Sequence, residues 1–142
     1  MKFAVAIILD RGCDRFIVQR KDDTYSRPRA IALFGGAIDT DESDDHAIER
    51  ELIEELGLST YETLRSAGLQ RLGWVGAFSV FEIVVDFDVI KAISEQVVFE
   101  GERAEIVHRN QLLELPWLEE LVPVIEVYLD HCAGFGPSRF RT

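Results

Sequence analysis

The chain has 142 residues, 47% of them hydrophobic and 10% aromatic, and a formal net charge of −11 from 15 basic and 26 acidic side chains. That length and apolar content suit one domain with a real core, and they exclude two ordinary domains or a largely disordered chain. A surface this acidic repels a phosphate backbone, so no long nucleic acid is expected as a partner. A divalent cation could still invert the field locally for a small phosphate ligand.

Two cysteines, Cys13 and Cys132, are too few for a disulfide framework and point to a reduced, cytoplasmic setting. The apolar run Phe3 to Leu9 stops at Asp10-Arg11. It lacks a cleavage site and the length of a membrane span, so no membrane partner is expected.

In chain order, residues 3–9 and 15–19 read as a hairpin with Gly12 supplying the turn. Residues 20–29 are polar and carry Pro28, so they read as a loop; 30–34 form a short strand closed by Gly35-Gly36. A helix is expected over 44–56, capped by Ser43 or Asp44 and ended by Gly57. Residues 62–85 carry two further strand candidates broken near Gly68 and Gly73. The stretch 95–108 reads as a strand region with a turn at Gly101, and 117–132 has helical spacing with Pro123 as a kink or a helix start. Residues 1–133 are expected to form the single domain, with 134–142 a mobile tail or an interface. Strands interleaved with helices give an α/β (α+β) class with one mixed sheet.

On a helix over 44–56, Glu51, Glu54 and Glu55 fall at i, i+3 and i+4 and share a face, beside an apolar stripe of Ile48 and Leu52. Two carboxylates about 6 Å apart repel by roughly 3 kcal/mol at an effective dielectric near 20. Three on one face therefore stay in water or hold cations. Oxygen-only donors of this kind suit Mg²⁺ or Mn²⁺, which usually bind a substrate phosphate as well.

The full segment decides between solvent and cation. It runs Gly36, five residues, Glu42, seven residues, then Arg50-Glu51-Leu52-Ile53-Glu54-Glu55-Leu56-Gly57-Leu58. This resembles the Nudix box, G-x5-E-x7-R-E-U-x-E-E-x-G-U with U aliphatic, and every defined position matches. Seven fixed identities at average usage coincide by chance in roughly one in 10⁸ windows.

The resemblance implies a Nudix-type α/β/α sandwich with a central mixed sheet and a loop–helix–loop catalytic segment. It implies Mg²⁺ or Mn²⁺ held by Glu51, Glu54 and Glu55, with the Gly36 carbonyl nearby. Glu42 and Arg50 match the pair that braces the loop, and Gly57 the residue that ends the helix. Glu102 is the candidate for the additional glutamate that reaches the metal site from a later loop, with Glu105 second. The implied activity is hydrolysis of a nucleoside diphosphate linked to another moiety, with Glu51 or Glu102 as general base. Many members carry a proline before the double glycine; here Phe34 stands there. The similarity spans 3–130, but only 36–58 is diagnostic.

Substrate choice lies outside the box. Tyr25, Phe34, Trp74 and Phe78 are candidates to stack on a base, and Arg20, Arg27 and Arg29 to meet phosphates. The strings that mark NADH, ADP-ribose, diadenosine polyphosphate and coenzyme A hydrolases are absent, which leans toward a nucleoside triphosphate. His46, His108 and His131 have no partner spacing that supports a site. The competing reading is a catalytically silent module that binds a nucleotide and regulates a partner; intact box glutamates favour the enzyme. An mRNA-decapping type is a third; the acidic balance and the absence of a basic stripe argue against a long RNA partner, though not against a capped dinucleotide. A homodimer, common in the family, could use the first strand or the last helix.

Overall fold

The computed structural model describes residues 1–96, 102–134 and 136–142. β1 (Phe3–Asp10) and β2 (Arg15–Arg20) form the expected hairpin, with Ile8 opposite Ile17. The left-handed residue of its turn is Cys13, at φ 58°, and not Gly12. Asp10 makes this tolerable: its Oδ1 accepts from the Asp14 and Arg15 amides at 3.0 and 3.1 Å.

The apolar stretch after the 20–29 loop is two strands, β3 (Ile31–Ala32) and β4 (Phe34–Ala37), split at Leu33. They serve different neighbours: β3 pairs with β2, and β4 pairs with the first half of β1. β1 is thus shared, with β4 along Phe3–Ala6 and β2 along Ile8–Leu9.

α1 (Asp44–Leu56) follows its predicted bounds, with the Ser43 hydroxyl accepting from the His46 amide at 3.1 Å. Gly57, at φ 89°, ends it. A second helix, α2 (Leu58–Ala67), starts at once, so residues 62–67 are helical and not strand. β5 (Leu69–Val75) has its irregularity at Gly73, and β6 (Phe78–Val85) runs parallel to β1. α3 (Phe87–Ser94) was not foreseen. β7 (Arg103–His108) pairs with β2; residues 97–101 of the expected strand region, with the turn at Gly101, lie outside the described residues. α4 (Val122–Ala133) takes the second of the two alternatives for Pro123, which sits in its first turn as a start and not a kink.

The strand order is β3-β2-β1-β6-β5, with β4 on β1 and β7 on β2. One face packs α1, α2 and α3 through Ile48, Leu52, Tyr61, Leu64, Ile90 and Ile93. The other packs α4 through Val124, Ile125 and Tyr128, beneath Trp117 and Leu121. This is the α/β/α sandwich. The tail departs from the mobile expectation: Phe140 is buried and Arg141 bridges Trp74 backbone to backbone at 2.8 and 3.0 Å. Among the described residues no helix is long and apolar enough to cross a membrane.

Candidate active site

The site is set by how α1 lies on β4. Ala47, Ile48, Leu52 and Leu56 bury the apolar stripe of the helix, which turns Glu51 and Glu55 toward the strand and leaves Glu54 outside. Burying four such side chains stabilises the docked helix by several kcal/mol, at about 1.5–3 kcal/mol for each large one. The strand supplies the clearance. A Cβ at Gly36 would fall 2.6 Å from Glu51 Oε1, so only glycine lets that carboxylate lie against the backbone. Gly35, at φ 137°, presses on the Ala4 carbonyl of β1 and tolerates no side chain either.

Glu55 is held at both oxygens. The Gly35 amide donates to Oε1 at 2.8 Å and Gln19 Nε2 donates to Oε2 at 3.1 Å. Burial nevertheless pushes its carboxyl up to about 7, outweighing those two bonds. Glu51 is also raised, first by burial, with the Arg50 guanidinium opposing the shift.

The outer flank is an ion-pair cluster centred on Arg50. Its Nε and Nη2 reach the two oxygens of Glu42 at 2.8 and 2.9 Å, and Nη2 also donates to the Ala37 carbonyl at 3.0 Å. Nη1 meets Glu51 at 3.0 Å, whereas Glu54 is only 3.4 Å away. The dominant partner is therefore Glu42 across the loop and not Glu54 one turn on. Glu42 also accepts from the Asp39 amide at 3.0 Å, which ties down the segment before the helix. Arg50 lowers the Glu42 carboxyl to about 2, and Glu42 in turn raises the guanidinium.

Glu102 pairs with Lys21 Nζ at 2.9 Å, with both side chains largely enclosed. Lys21 lies two residues beyond Gln19 and lowers Glu55 through its charge, which places the Lys21–Glu102 pair near the box. Glu105 lies opposite Val18 on the α4 face and pairs with Arg20 at 2.8 Å, so it stands across the sheet from the box.

The expected substrate residues are not gathered in one place. Phe34 is fully buried in the core under α1 and presents no ring face to a ligand. That corrects the stacking expectation: its position before the double glycine is one of packing. Phe78 stacks on Phe3 at 5.0 Å, and Trp74 lies under Lys2 at the far edge of the sheet, on the tail. Arg27 is bound to Glu120 by two bonds of 2.8 and 2.9 Å. Arg29 pairs with Asp23 and lines, with Arg20, Lys21 and Glu105, a cavity of about 620 Å³. Tyr25 lies under Lys21 at 5.0 Å.

Two residues near the box escaped the sequence reading. Lys21 was only part of a loop. Gln19, 1% exposed, was hidden in the strand, although a polar residue in register with inward-facing Ile17 was a usable signal. Its Oε1 is buried without a donor among the described residues. Such a group costs about 1–3 kcal/mol.

Among the described residues, no three acidic, histidine or cysteine side chains converge closely enough to hold an ion as they stand. The donors nonetheless fit Mg²⁺ or Mn²⁺. They are all oxygens, Gly36 makes room for one carboxylate, and burial without a cation raises Glu51 and Glu55.

The family model of the NUDIX domain matches residues 2–126. No curated protein matches the chain significantly. Among solved structures, the fold is similar to a mutT/nudix family protein from Listeria innocua, with TM-score 0.68 and 15% identity, covering 92% of this chain and 91% of that one. It is similar to MutT from a study of the Aliivibrio salmonicida and Vibrio cholerae enzymes, with TM-score 0.60 and 19% identity over 88% and 93%. It is also similar to the Escherichia coli dihydroneopterin triphosphate pyrophosphohydrolase, with TM-score 0.63 and 13% identity over 91% and 94%. With the box complete and its helix seated on the double-glycine strand, the chain belongs to the NUDIX family of hydrolases.

Proposed function

We propose that the protein hydrolyses a phosphoanhydride bond in a nucleoside diphosphate linked to another moiety, by attack of water on phosphorus, with Mg²⁺ or Mn²⁺ held by Glu51, Glu54, Glu55 and the Gly36 carbonyl. The observation that carries this reading is the intact carboxylate turn lying against a glycine strand, braced by Arg50 and Glu42. Bound there, the metal supplies Lewis-acid neutralisation of phosphate charge and a more acidic water.

The chain's own groups do the rest. Arg50 fixes the loop backbone through Ala37 and keeps Glu51 from swinging away. Glu51 and Glu102 are the two candidates to take the water's proton at a side-chain oxygen. Glu102 is ion-paired with Lys21, and substrate charge that competes for Lys21 would release it. Arg20, Arg27 and Arg29 are the candidates to meet further phosphates; each is ion-paired, to Glu105, Glu120 and Asp23, and Arg20 lies with Glu105 on the α4 face of β2. Two of the similar structures are MutT and a dihydroneopterin triphosphate pyrophosphohydrolase, which supports a nucleoside triphosphate-like substrate.

The test is a panel of nucleoside triphosphates, nucleotide sugars and dinucleoside polyphosphates assayed with Mg²⁺ and Mn²⁺. Metal-dependent release of a nucleotide product from at least one class is expected. Nucleotide binding without turnover across the panel would instead establish a silent binding module.

A further inference from the structure

We infer that Gln19 is a positioning residue for the metal site: it acts through Glu55, fixing that carboxylate so that its remaining lone pairs face the cation. The inference rests on the metal-binding reading above and adds a residue outside the box to it.

The geometry defines the amide without ambiguity. The Leu33 carbonyl can only accept, and Gln19 approaches it at 2.9 Å, so the nitrogen faces Leu33. The second hydrogen of the same nitrogen is then aimed at Glu55 Oε2, 3.1 Å away. The Gly35 amide takes the other oxygen at 2.8 Å. Each Glu55 oxygen thus receives one N–H, and a carboxylate with about four acceptor positions keeps two for an ion.

The position in the sheet explains why a side chain is needed. β2 leaves β1 after the Ile8–Ile17 pair, and β4 takes its place. Leu33 lies at the break between β3 and β4, beside that fork. Gln19 spans the fork, tying the strand break to the helix that carries Glu55. An apolar residue would fill the same buried space without leaving Oε1 unpaired. Its retention as an amide is therefore accounted for by the bond it makes and not by packing. Hydrogen-bond partners of ligating carboxylates act in this way, and their loss typically costs 10–100-fold in metal affinity or activity.

The experiment titrates Mn²⁺ into the full chain without nucleotide, following water proton relaxation, for the wild type, Gln19→Met, Glu55→Gln and the double variant. Gln19→Met is expected to weaken Mn²⁺ binding by about 10–100-fold and to lower kcat similarly at limiting metal, with KM for nucleotide at saturating metal changed less than about threefold. In the Glu55→Gln background the same change should have no further effect, because the path through Glu55 is already cut. A purely structural role would give additive losses and would overturn the inference. So would unchanged Mn²⁺ affinity in folded Gln19→Met when Glu55→Gln does weaken binding, and that result would leave the metal site itself standing. Unchanged affinity in both variants, or no Mn²⁺ binding by the wild type, would remove the metal reading and this inference with it. If Gln19→Met does not fold, Gln19→Asn keeps the amide but is one methylene short of spanning Leu33 and Glu55, and the same outcomes apply.

Discussion

The two flanks of α1 carry the same side-chain chemistry under opposite electrostatics. On the inner flank, Glu51 and Glu55 lie against a glycine strand, and burial raises both carboxyls. On the outer flank, Glu42 lies against Arg50, which lowers its carboxyl to about 2. On the inner flank the charges of Arg50 and Lys21 do not offset burial, whereas on the outer flank Arg50 outweighs it and Glu42 stays ionised as a brace. The motif resemblance already assigns these glutamates different roles; the strand beneath them gives the physical reason.

Substitutions should break the two flanks differently, and the adjacent glycines give the largest contrast. Gly35→Ala places a Cβ against the Ala4 carbonyl at φ 137°, so the β1–β4 pairing should fail, with a loss of about 4 kcal/mol or more in urea unfolding. Removing the buried charge acts the other way. Glu55 has its folded pKa near 7 against an ordinary 4.5, so without metal its stability penalty develops as pH rises through that interval and is complete above it. Glu55→Gln should therefore be more stable than the wild type at pH 8, by up to about 3 kcal/mol, with the two converging below pH 4.5. The same interval gives the metal its pH dependence: Mn²⁺ affinity of the wild type should rise from pH 5 to pH 8 as the proton leaves.

Gly36→Ala is the milder partner of the first change. Its Cβ meets only the end of the Glu51 side chain, which can move, so the fold should survive while turnover falls by about tenfold or more. The smallest effect belongs to the outer flank. Glu42 is depressed below 4.5, so its contribution is complete above that pH and fades as pH falls toward 2. Glu42→Gln should lower the midpoint of thermal unfolding slightly at pH 7, and the gap should close across that acid interval. A gap that persisted at pH 2 would deny the ion pair with Arg50 its assigned role.

Much of this was legible in the sequence because the box is a spacing pattern whose local rules agree. Ser43 caps, Ile48 and Leu52 anchor, and Gly57 stops the helix within its expected bounds. α2 and α3 were obscured because each buries only two side chains at helical spacing, Tyr61 with Leu64 and Ile90 with Ile93. α2 also follows Gly57 with no intervening loop, and α3 follows an apolar strand whose apolar run its own Phe87, Val89 and Ile90 continue in sequence. Within the site, Gln19, Lys21 and the split at Leu33 were hidden because each matters only after β2 and β4 exchange places beside β1. Phe34 and the tail were misjudged for the same reason: which aromatic rings are covered is decided by tertiary packing, not by composition.

The central claim is that the carboxylates of one helical turn hold a divalent ion that makes a phosphoanhydride cleavable. Glu54 tests it most cleanly, because it is exposed and contributes little to packing. The decisive measurement is Mg²⁺-dependent turnover of Glu54→Gln beside the wild type, on whichever nucleotide the panel selects, with and without chelator. Chelation should abolish wild-type turnover and added Mg²⁺ restore it, while the variant stays folded and loses about a hundredfold or more. A folded Glu54→Gln protein turning over at the wild-type rate with the same Mg²⁺ dependence would contradict the account.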